Sequence, residues 1–510
     1  MSRRARIIAG ATALALLTSA HVGSPDTWFE GAAGPYPVRI VVRSPGVIPG
    51  LADVVVSVTS FEQSVTAVTA SPAAYNATDP TRIPPADTAR AVPGRPGSWT
   101  VPLWIMIPGS YGVRVTVAGA RGTGTAIVPV SATATRVLGM DRKLGWLLGA
   151  LGVFLLVGAV TIVGAAVRES VLAPGEAPDT RRRKRARFAM GGGGVVLLAL
   201  LGGGKTWWNA EDRGYRRGLD RRWTATAEVV SPADAPRLRF SIADSVWRGR
   251  SWLDRASTPL IPDHGKLMHL FLVKEDDAGA FAHLHPVSTD TATFESPLPP
   301  LPPGRYRAFA DITHESGFAR TLVASVELPG GGPPVPTPAP GSPAGAGDPD
   351  DAWFTGLPTD SVASLAGGGS LIWEAKPGRL TANDDARLHF LVREADGSVG
   401  RVEPYLGMAG HAVVMREDGQ VYVHLHPMGT ISAAAEVALR ARLPSDTAWG
   451  MLGRRLTASG ALGAGAGHDM TFDGRIGFPY AFPDAGVYRV WVQVRRKGVV
   501  ETAAFRVTVY

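Results

Sequence analysis

The sequence contains no cysteine among its 510 residues. Disulfide bonds, thiolate metal sites, iron–sulfur clusters and a cysteine nucleophile are therefore excluded. Any transition metal must be held by histidine, methionine, carboxylate or backbone ligands. The chain also lacks the Gly-x-Ser-x-Gly, phosphate-loop and His-Glu-x-x-His motifs, and its carboxylates show no spacing suited to acid–base work. We therefore predict that the protein is not an enzyme.

Charged residues make up only 19% of the chain, whereas glycine (61) and proline (41) are abundant. With 45% hydrophobic residues, this composition is typical of a β-rich, loop-rich protein and not of a disordered or coiled-coil one. The chain is too long for one ordinary domain, and about three folding units are expected. Much of the net charge of +8 lies in the basic run of residues 181–187.

Three apolar stretches predict how the chain is exported and anchored. Residues 1–20 have arginines, an apolar run and then small residues, the pattern of a secretory signal peptide cleaved after Ala20. Residues 144–167 carry no charge, and residues 188–208 end in a lysine and two tryptophans suited to a membrane interface. Both longer stretches are predicted to be transmembrane helices.

The segment between these two predicted helices, residues 168–187, contains the basic run. Short loops rich in lysine and arginine stay on the cytoplasmic side of a membrane, which explains the run better than nucleic-acid binding does. The regions on both sides are then extracytoplasmic. We therefore predict a protein of the bacterial cytoplasmic membrane, anchored by a two-helix hairpin, with periplasmic N- and C-terminal domains and no nucleic-acid partner.

The exported regions are predicted to be β throughout. Short runs rich in valine and isoleucine alternate with polar residues and are separated by glycine and proline, as in antiparallel sandwiches. A Pro/Gly/Ala-rich segment, residues 329–351, is predicted to be a linker. The predicted fold class is mainly β, with three immunoglobulin-like β-sandwich domains in addition to the transmembrane hairpin. The domains are predicted at residues 21–138, 209–328 and 352–510.

Four of the 11 histidines lie in two copies of His-Leu-His-Pro. The copies are residues 283–286 and residues 424–427. Aligning them also aligns His269 with His411 to within one residue, and each copy is followed by a segment containing Gly-x-Tyr-Arg. Such a match in order, spacing and residue type predicts the duplication of one module.

The dipeptide Asp418-Gly419 between two alternating strands predicts a tight hairpin. Counting outward from this turn pairs His411 with His426 and Val413 with His424. Opposed side chains lie about 5 Å apart, and residues two apart on a strand share a face. Three histidines are therefore expected to converge in each module. The predicted metal ligands are His269, His283 and His285 in the first copy and His411, His424 and His426 in the second.

Three neutral imidazoles suit Cu(II) or Zn(II), and methionines near the second copy, such as Met408 and Met428, would favour Cu(I). A cupin site is disfavoured because proline follows each motif directly and Glu295 lies too far along the chain. The structural alternative is that each motif is a strand end closed by proline, with histidines solvated or bonded to the backbone. The protein would then be an envelope scaffold whose sandwiches bind protein or glycan.

Cleavage after Ala20 would make His21 the mature N-terminus. A free amine and an imidazole of one residue can together chelate copper, but the usual second imidazole is absent from this region. A copper-ligand role for His21 and a plain polar residue after a cleavage site both stay open.

The segments around both motifs, "HGKLMHLFLVKED…FAHLHPV" from His264 and "YLGMAGHAVVMREDG…VYVHLHPM" from Tyr405, resemble the YtkA-like and related copper-homeostasis β-sandwich modules of bacterial envelopes. The resemblance covers residues 235–328 and 370–510. It implies exported immunoglobulin-like modules that handle copper or another heavy metal, with the six histidines as ligands. Together with the predicted topology, it implies a membrane-anchored metal-binding protein for homeostasis or delivery, with an envelope protein as a partner.

Overall fold

The computed structural model describes residues 21–22, 26–60, 64–77, 80–173, 175–230, 236–244, 259–276, 279–290, 292–329, 347–374, 379–384, 386–463 and 471–510. The predicted signal peptide, residues 1–20, lies outside the described residues. Strands make up 45% of the protein and helices 20%, which confirms a mainly β fold. Residues 134–221 form one compact unit, and the described residues before and after them form another.

The first β region precedes the helices. The strands before the helices are β1 (His21–Val22), β2 (Asp26–Ala33), β3 (Tyr36–Arg43), β4 (Gly50–Val58), β5 (Val65–Ala74), β6 (Asp87–Thr88), β7 (Arg90–Ala91), β8 (Ser98–Ile105), β9 (Gly109–Gly119) and β10 (Gly122–Ala132). Strands β2 to β10 form two antiparallel sheets of order β2-β3-β4-β8-β7 and β10-β9-β5-β6. Along β4, buried Val54, Val56 and Val58 alternate with more exposed residues, because alternate side chains face opposite sides of a sheet.

The unit of residues 134–221 contains two long helices, α1 (Arg142–Glu169) and α2 (Thr180–Arg217). Both are long and apolar enough to cross a membrane, with mean hydropathies of 2.5 and 1.5 in their most apolar windows. The helices approach closely where Gly164 of α1 faces Met190 of α2, since a Cβ at position 164 would lie 2.5 Å from the methionine sulfur. A small residue at such a contact lets two helix backbones approach closely.

The basic run lies inside α2, whereas the sequence predicts a loop over residues 168–187. The Asp179 side chain caps the helix by accepting a hydrogen bond from the backbone N–H of Arg182 over 2.7 Å. Arginine and lysine are good helix formers, so α2 starts well before the predicted transmembrane segment. The connection between the helices therefore spans only residues 170–179.

We call the strands from Ala225 to Thr355 the first histidine module. They are β11 (Ala225–Val230), β12 (Arg237–Ile242), β13 (Leu260–Ile261), β14 (His269–Lys274), β15 (Ala280–Leu284), β16 (Val287–Ser288), β17 (Thr293–Pro297), β18 (Gly304–His314), β19 (Ala319–Leu328) and β20 (Ala352–Thr355). The sheets have the orders β11-β12-β17-β16 and β13-β18-β14-β15-β20, with β19 beside β18. Phe240, Leu270 and Leu272 lie in the core between them.

The strand β20 lies in a part of the chain that the sequence assigns to the following domain. Residues 352–355 instead pair antiparallel with residues 280–283 of β15. The first histidine module therefore extends past the predicted linker of residues 329–351. Adding β20 gives backbone partners to β15, which would otherwise be an open sheet edge.

The second histidine module runs from Val362 to Val509. Its elements are β21 (Val362–Ser364), β22 (Ser370–Trp373), β23 (Ala386–Arg393), β24 (Arg401–Val402), β25 (His411–Arg416), β26 (Val421–Leu425), α3 (Ala433–Ala441), α4 (Met451–Ala458), β27 (Phe472–Asp473), β28 (Arg475–Tyr480), β29 (Gly486–Arg496) and β30 (Val499–Val509). The sheets have the orders β21-β22-β23-β28, β24-β27 and β1-β26-β25-β29-β30. Strand β1 thus joins the sheet of this module, in parallel with β26.

Each of the three β regions contains one long antiparallel hairpin, formed by β9 and β10, by β18 and β19, or by β29 and β30. A tyrosine at the third position of the first strand, Tyr111, Tyr306 or Tyr488, donates a hydrogen bond to the carbonyl four residues earlier, over 2.8–2.9 Å. This local bond resembles the tyrosine corner of immunoglobulin-like sandwiches. The repetition indicates that the three regions share a structural plan.

The two histidine modules pack against each other through the sheets that carry β14 and β25. Phe281 stacks on Trp491 with ring centroids 4.9 Å apart, and Phe309 stacks on Tyr422 at 3.8 Å. Each pair joins one module to the other, and all four side chains are buried. Strands β14 and β25 are therefore covered on both faces, by the core of their own module and by the opposite module.

Candidate metal centre

Seven of the 11 histidines lie together at one end of the interface between the histidine modules. Neighbouring ring centroids are 4.5–6.4 Å apart. Exposure ranges from 0% for His283 to 8% for His264, and the side chain of His424 is 7% exposed. We call this group the histidine cluster: His264, His269, His283, His285, His411, His424 and His426.

The first triad consists of His269, His283 and His285, as the sequence predicts for the first module. Strand pairing sets Phe271 opposite His283, so that His269 falls at the position opposite His285. One ring nitrogen from each of the three lies within 4.8 Å of the others. Nδ1 of His269 and Nε2 of His283 are only 3.1 Å apart.

Each imidazole of the first triad has one ring nitrogen that is directed to an oxygen atom and not to the other two rings. We call it the outer nitrogen and the other ring nitrogen the inner nitrogen. Nε2 of His269 donates to the carbonyl oxygen of Asp263 over 3.2 Å. Nδ1 of His285 donates to a carboxylate oxygen of Asp351 over 3.0 Å. Hydrogen bonds of this kind orient metal-binding imidazoles and fix their tautomers.

The outer nitrogen of His283 has two oxygen neighbours, both from the second module. Nδ1 lies 2.8 Å from Oε1 of Gln493 and 3.1 Å from the hydroxyl of Tyr405. The tyrosine hydroxyl donates its own proton to the carbonyl of Asp350 over 3.0 Å, and Nε2 of Gln493 donates to Thr502 over 3.1 Å. Both oxygens beside His283 are therefore acceptors, and its Nδ1 carries the hydrogen.

These bonds determine where the lone pairs of the first triad lie. A neutral imidazole has one N–H and one lone pair, so an outer N–H leaves the inner nitrogen as an acceptor. The inner nitrogens are Nδ1 of His269 and Nε2 of His283 and His285. Three lone pairs therefore face one another, and the first two nitrogens, 3.1 Å apart, have no hydrogen between them to share while both rings are neutral.

The second histidine module contributes two histidines to a further triad. Val413 pairs with His424 as predicted, and the next opposed positions are those of His411 and His426. One ring nitrogen each of His411, His426 and His264 lies within 4.8 Å of the others. Because His264 belongs to the first module, we call this group the mixed triad.

The mixed triad contains ring nitrogens that lack hydrogen bonds to the described part of the chain. Nδ1 of His426 donates to the carbonyl of Ile431 over 2.9 Å, whereas its Nε2, both nitrogens of His411 and Nε2 of His264 have no such partner among the described residues. Buried polar atoms normally find partners, and leaving one without a partner costs about 1–3 kcal/mol. An arrangement of this kind is typical of a ligand site.

His424 lies between the two triads. Its ring centroid is 4.5 Å from that of His426 and 5.5 Å from that of His269. Its Nδ1 is 3.3 Å from a carboxylate oxygen of Asp311, on the first module. The three histidines predicted for the second module, His411, His424 and His426, thus lie next to one another. The third member of the mixed triad, however, is His264 and not His424.

Burial is the main cause that lowers the pKa of His269, His283, His411 and His426, and repulsion from neighbouring imidazolium groups lowers each of them further. Burial also lowers the pKa of His264, against the attraction of Asp263. These five imidazoles are therefore held in the neutral form at neutral pH. Metal ligation requires that form.

His264 lies near the first motif in the sequence but is not among the six ligands predicted from it. His264 and Gly265 have positive φ angles of 52° and 84° in a turn closed by Asp263 and Lys266. The second module repeats this turn at residues 405–408, with φ angles of 51° and 79° at its central positions. Leucine occupies the position of His264 there, so aligning the Gly265 and Gly407 turns would have indicated an additional histidine.

Several other histidines and methionines of the chain lie apart from the cluster or outside the described residues. Met268 packs in the core of the first module, and Met415 lies among the aromatic residues of the interface. His314 contacts Trp223 and Phe318. His468 and Met470 lie outside the described residues.

The backbone of His21 pairs with Val421, at the far end of β26 from its histidines. His424 is three residues further along that strand, about 10 Å away at the usual rise per residue. The strand pairing therefore separates His21 from the histidine cluster.

A domain of unknown function (DUF8832) matches residues 223–329 and 367–454. The two matched segments, one in each histidine module, contain all seven histidines of the cluster. The family carries no assigned function, and the likeness to YtkA-like modules stays a prediction.

No curated protein matches the chain. Similar solved structures include latent PorU from Porphyromonas gingivalis (TM-score 0.14, 10% identity, 95% of this chain and 34% of that one). A putative membrane anchored protein from Corynebacterium diphtheriae has a TM-score of 0.14 and 9% identity, with 95% of each chain covered. The chain spans about a third of the length of the PorU chain, and likenesses this weak support no conclusion on function.

Proposed function

We propose that this protein binds a transition metal ion, copper or zinc, through the first triad of the histidine cluster. The observation that carries the proposal is the convergence of three inner ring nitrogens with free lone pairs. The outer nitrogen of each of these rings donates to an oxygen atom. Two nitrogens bound to one tetrahedral ion at about 2.0–2.1 Å lie about 3.3 Å apart. The separation of 3.1 Å between His269 and His283 is close to that value.

Copper(II) is the first candidate for the ion. The triad offers only imidazole nitrogens, which suit copper and zinc, and divalent copper binds nitrogen ligands most tightly among the first-row metals. The cysteine-free sequence rules out a thiolate site that would favour zinc or cuprous copper. Two other methionines, Met268 and Met415, pack in hydrophobic clusters, so a softer, methionine-containing site would depend on Met408 and Met428.

The protein would hold this site outside the cytoplasm. Helices α1 and α2 are apolar enough to span a membrane as a hairpin, and the basic residues at the start of α2 would remain in the cytoplasm by the positive-inside rule. The three β regions would then be periplasmic, immunoglobulin-like sandwiches, a description supported by their three tyrosine hydrogen bonds. Metal homeostasis, or delivery to an envelope partner as the YtkA-like resemblance implies, is the role proposed for such a protein.

The alternative function is an envelope scaffold with incidental histidines. It has some support, because His269 and His426 each donate to a backbone carbonyl, as the scaffold interpretation expects. The second nitrogen of each ring nevertheless belongs to a triad. A scaffold has no need for seven imidazoles packed into one buried volume, so the metal proposal explains more of the structure.

Titration of the full-length protein in detergent with Cu(II) and with Zn(II) tests the proposal. We expect tight binding by the wild type and by the control His389→Ala, since His389 lies on β23 outside the cluster. The double variant His283→Ala/His285→Ala should lose at least one equivalent of bound metal after gel filtration. A folded wild type that binds neither ion tightly would overturn the proposal and favour the scaffold.

A further inference from the structure

The two triads are not independent sites in separate modules. His264 of the first module completes the mixed triad with His411 and His426 of the second. In the opposite direction, Gln493 and Tyr405 of the second module hold the outer nitrogen of His283. Each triad therefore needs both modules in their packed arrangement.

The triads also adjoin each other within one buried volume. The ring centroids of His264 and His269 are 6.4 Å apart, and those of His283 and His411 are 6.3 Å apart. Within the triads the centroid distances are 4.5 Å for His283 and His285 and 4.9 Å for His411 and His426. No protein layer separates the two sets of rings at these contacts.

His424 is placed to interact with an ion in either triad. Its ring centroid lies 5.4 Å from that of His411 and 5.7 Å from that of His283. Its Nδ1 is near Asp311, while its Nε2 has no hydrogen-bond partner among the residues that the structure describes. The Nε2 atom of this ring is thus available to an ion between the triads.

The number of ligands exceeds the need of a single ion. Copper and zinc in proteins take about four ligands, of which three are typically protein side chains in an open site. Seven imidazoles are enough for two such ions with one ring remaining. We infer that the histidine cluster binds two transition metal ions as one binuclear centre shared by both modules, with His424 between the ions; this inference rests on the proposed metal-binding function.

A shared centre has a consequence that two separate sites lack. The ions would lie close enough for dipolar magnetic coupling, because rings of the two triads have centroids only 6.3–6.4 Å apart. Two coupled Cu(II) ions give either a half-field resonance or an electron paramagnetic resonance signal that accounts for less than the total copper. Two distant Cu(II) ions give a full signal with no half-field transition.

The experiment loads the full-length protein in detergent with excess Cu(II), removes free copper by gel filtration, and compares total copper with the integrated resonance signal. We expect two coppers per chain with coupling in the wild type and in the control His389→Ala. The variant His264→Gln should bind one copper in the first triad, with a full uncoupled signal. Circular dichroism and gel filtration establish that the variant is folded.

The variant His424→Gln separates the role of the intervening ring from that of the triads. It should keep two coppers, because the ligands of both triads are intact, and it should change the strength of the coupling. Two uncoupled coppers in the wild type, or one copper only, would overturn the binuclear centre while leaving the proposed metal binding intact. No bound copper or zinc at all would overturn both.

Discussion

Gln493 of the second histidine module accepts a hydrogen bond from His283 of the first over 2.8 Å. The reciprocal contact joins Asp311 of the first module to His424 of the second, at 3.3 Å. Gln493 pairs with His411 on the neighbouring strand, and Asp311 pairs with His269. Each module thus places a polar side chain, from the equivalent strand position, against a histidine of the other module. This is expected for duplicated modules packed about an approximate twofold axis.

The variant Gln493→Leu tests the contact between Gln493 and His283. Leucine removes the acceptor that holds the Nδ1 hydrogen and ring orientation of His283, so metal affinity should fall by about 10–100-fold. Competition with a chromophoric chelator measures the affinity. The control Gln493→Glu retains an acceptor oxygen and should bind at least as tightly as the wild type. Equal affinities for leucine and glutamine at this position would contradict the proposed orienting role.

Local strand pairing was predictable from the sequence because one turn determines it. The hairpin at Asp418-Gly419 sets Val413 opposite His424, and alternation then places the histidines on one face. The packing of one module on the other depends instead on shape complementarity between distant residues such as Phe281 and Trp491. No local pattern specifies which distant residues will meet.

One sequence signal could have indicated that the modules pack together. The runs "HLFLVK" of β14 and "HAVVMR" of β25 are almost continuously apolar, and such runs are typical of strands covered on both faces. A solvated sandwich face would alternate with polar residues. The positive-inside rule predicts on which side of the membrane the basic run of α2 lies, but it does not predict the backbone conformation of the run. The rule therefore does not indicate that the run is helical.

The variant His411→Leu should separate stability from metal binding. Both ring nitrogens of His411 lack partners among the described residues, and the side chain is 1% exposed. Replacing such a group with an apolar one removes a desolvation cost, so the metal-free protein should become more stable by about 1–2 kcal/mol. Urea unfolding in the presence of a chelator measures this change, and metal titration should show the loss of the mixed triad. A destabilised metal-free variant would indicate that His411 has a structural role.

The aromatic contact between the modules should contribute strongly to stability. Trp491 is 1% exposed and stacks on Phe281. The variant Trp491→Ala should lower the free energy of unfolding by about 3–5 kcal/mol and weaken metal binding, because both triads depend on the module contact. Trp104 is 57% exposed, and its replacement by alanine should change stability by less than about 0.5 kcal/mol. Similar urea midpoints for the two variants would contradict the interface assignment.

The predicted membrane orientation can be tested with single cysteines, since the chain has no native one. Thr123, in the β9–β10 hairpin, and Glu176, between α1 and α2, are both exposed. In intact spheroplasts a membrane-impermeant maleimide should label Thr123→Cys and should label Glu176→Cys only after permeabilisation. Labelling of both before permeabilisation would exclude the proposed hairpin.

The metal-free protein should lose stability as the pH falls below the ordinary histidine pKa of about 6.5. Burial, aided by neighbouring imidazolium groups, lowers the pKa of His269 and His411 in the folded state. The unfolded chain then binds more protons than the folded one between the two pKa values, so stability rises with pH across that window and is complete above it. Urea midpoints measured with a chelator between about pH 5.5 and 7.5 should follow this slope. The double variant His269→Leu/His411→Leu should show a shallower dependence, because two of the groups that take up protons on unfolding are gone; an unchanged slope would place the proton uptake elsewhere in the chain.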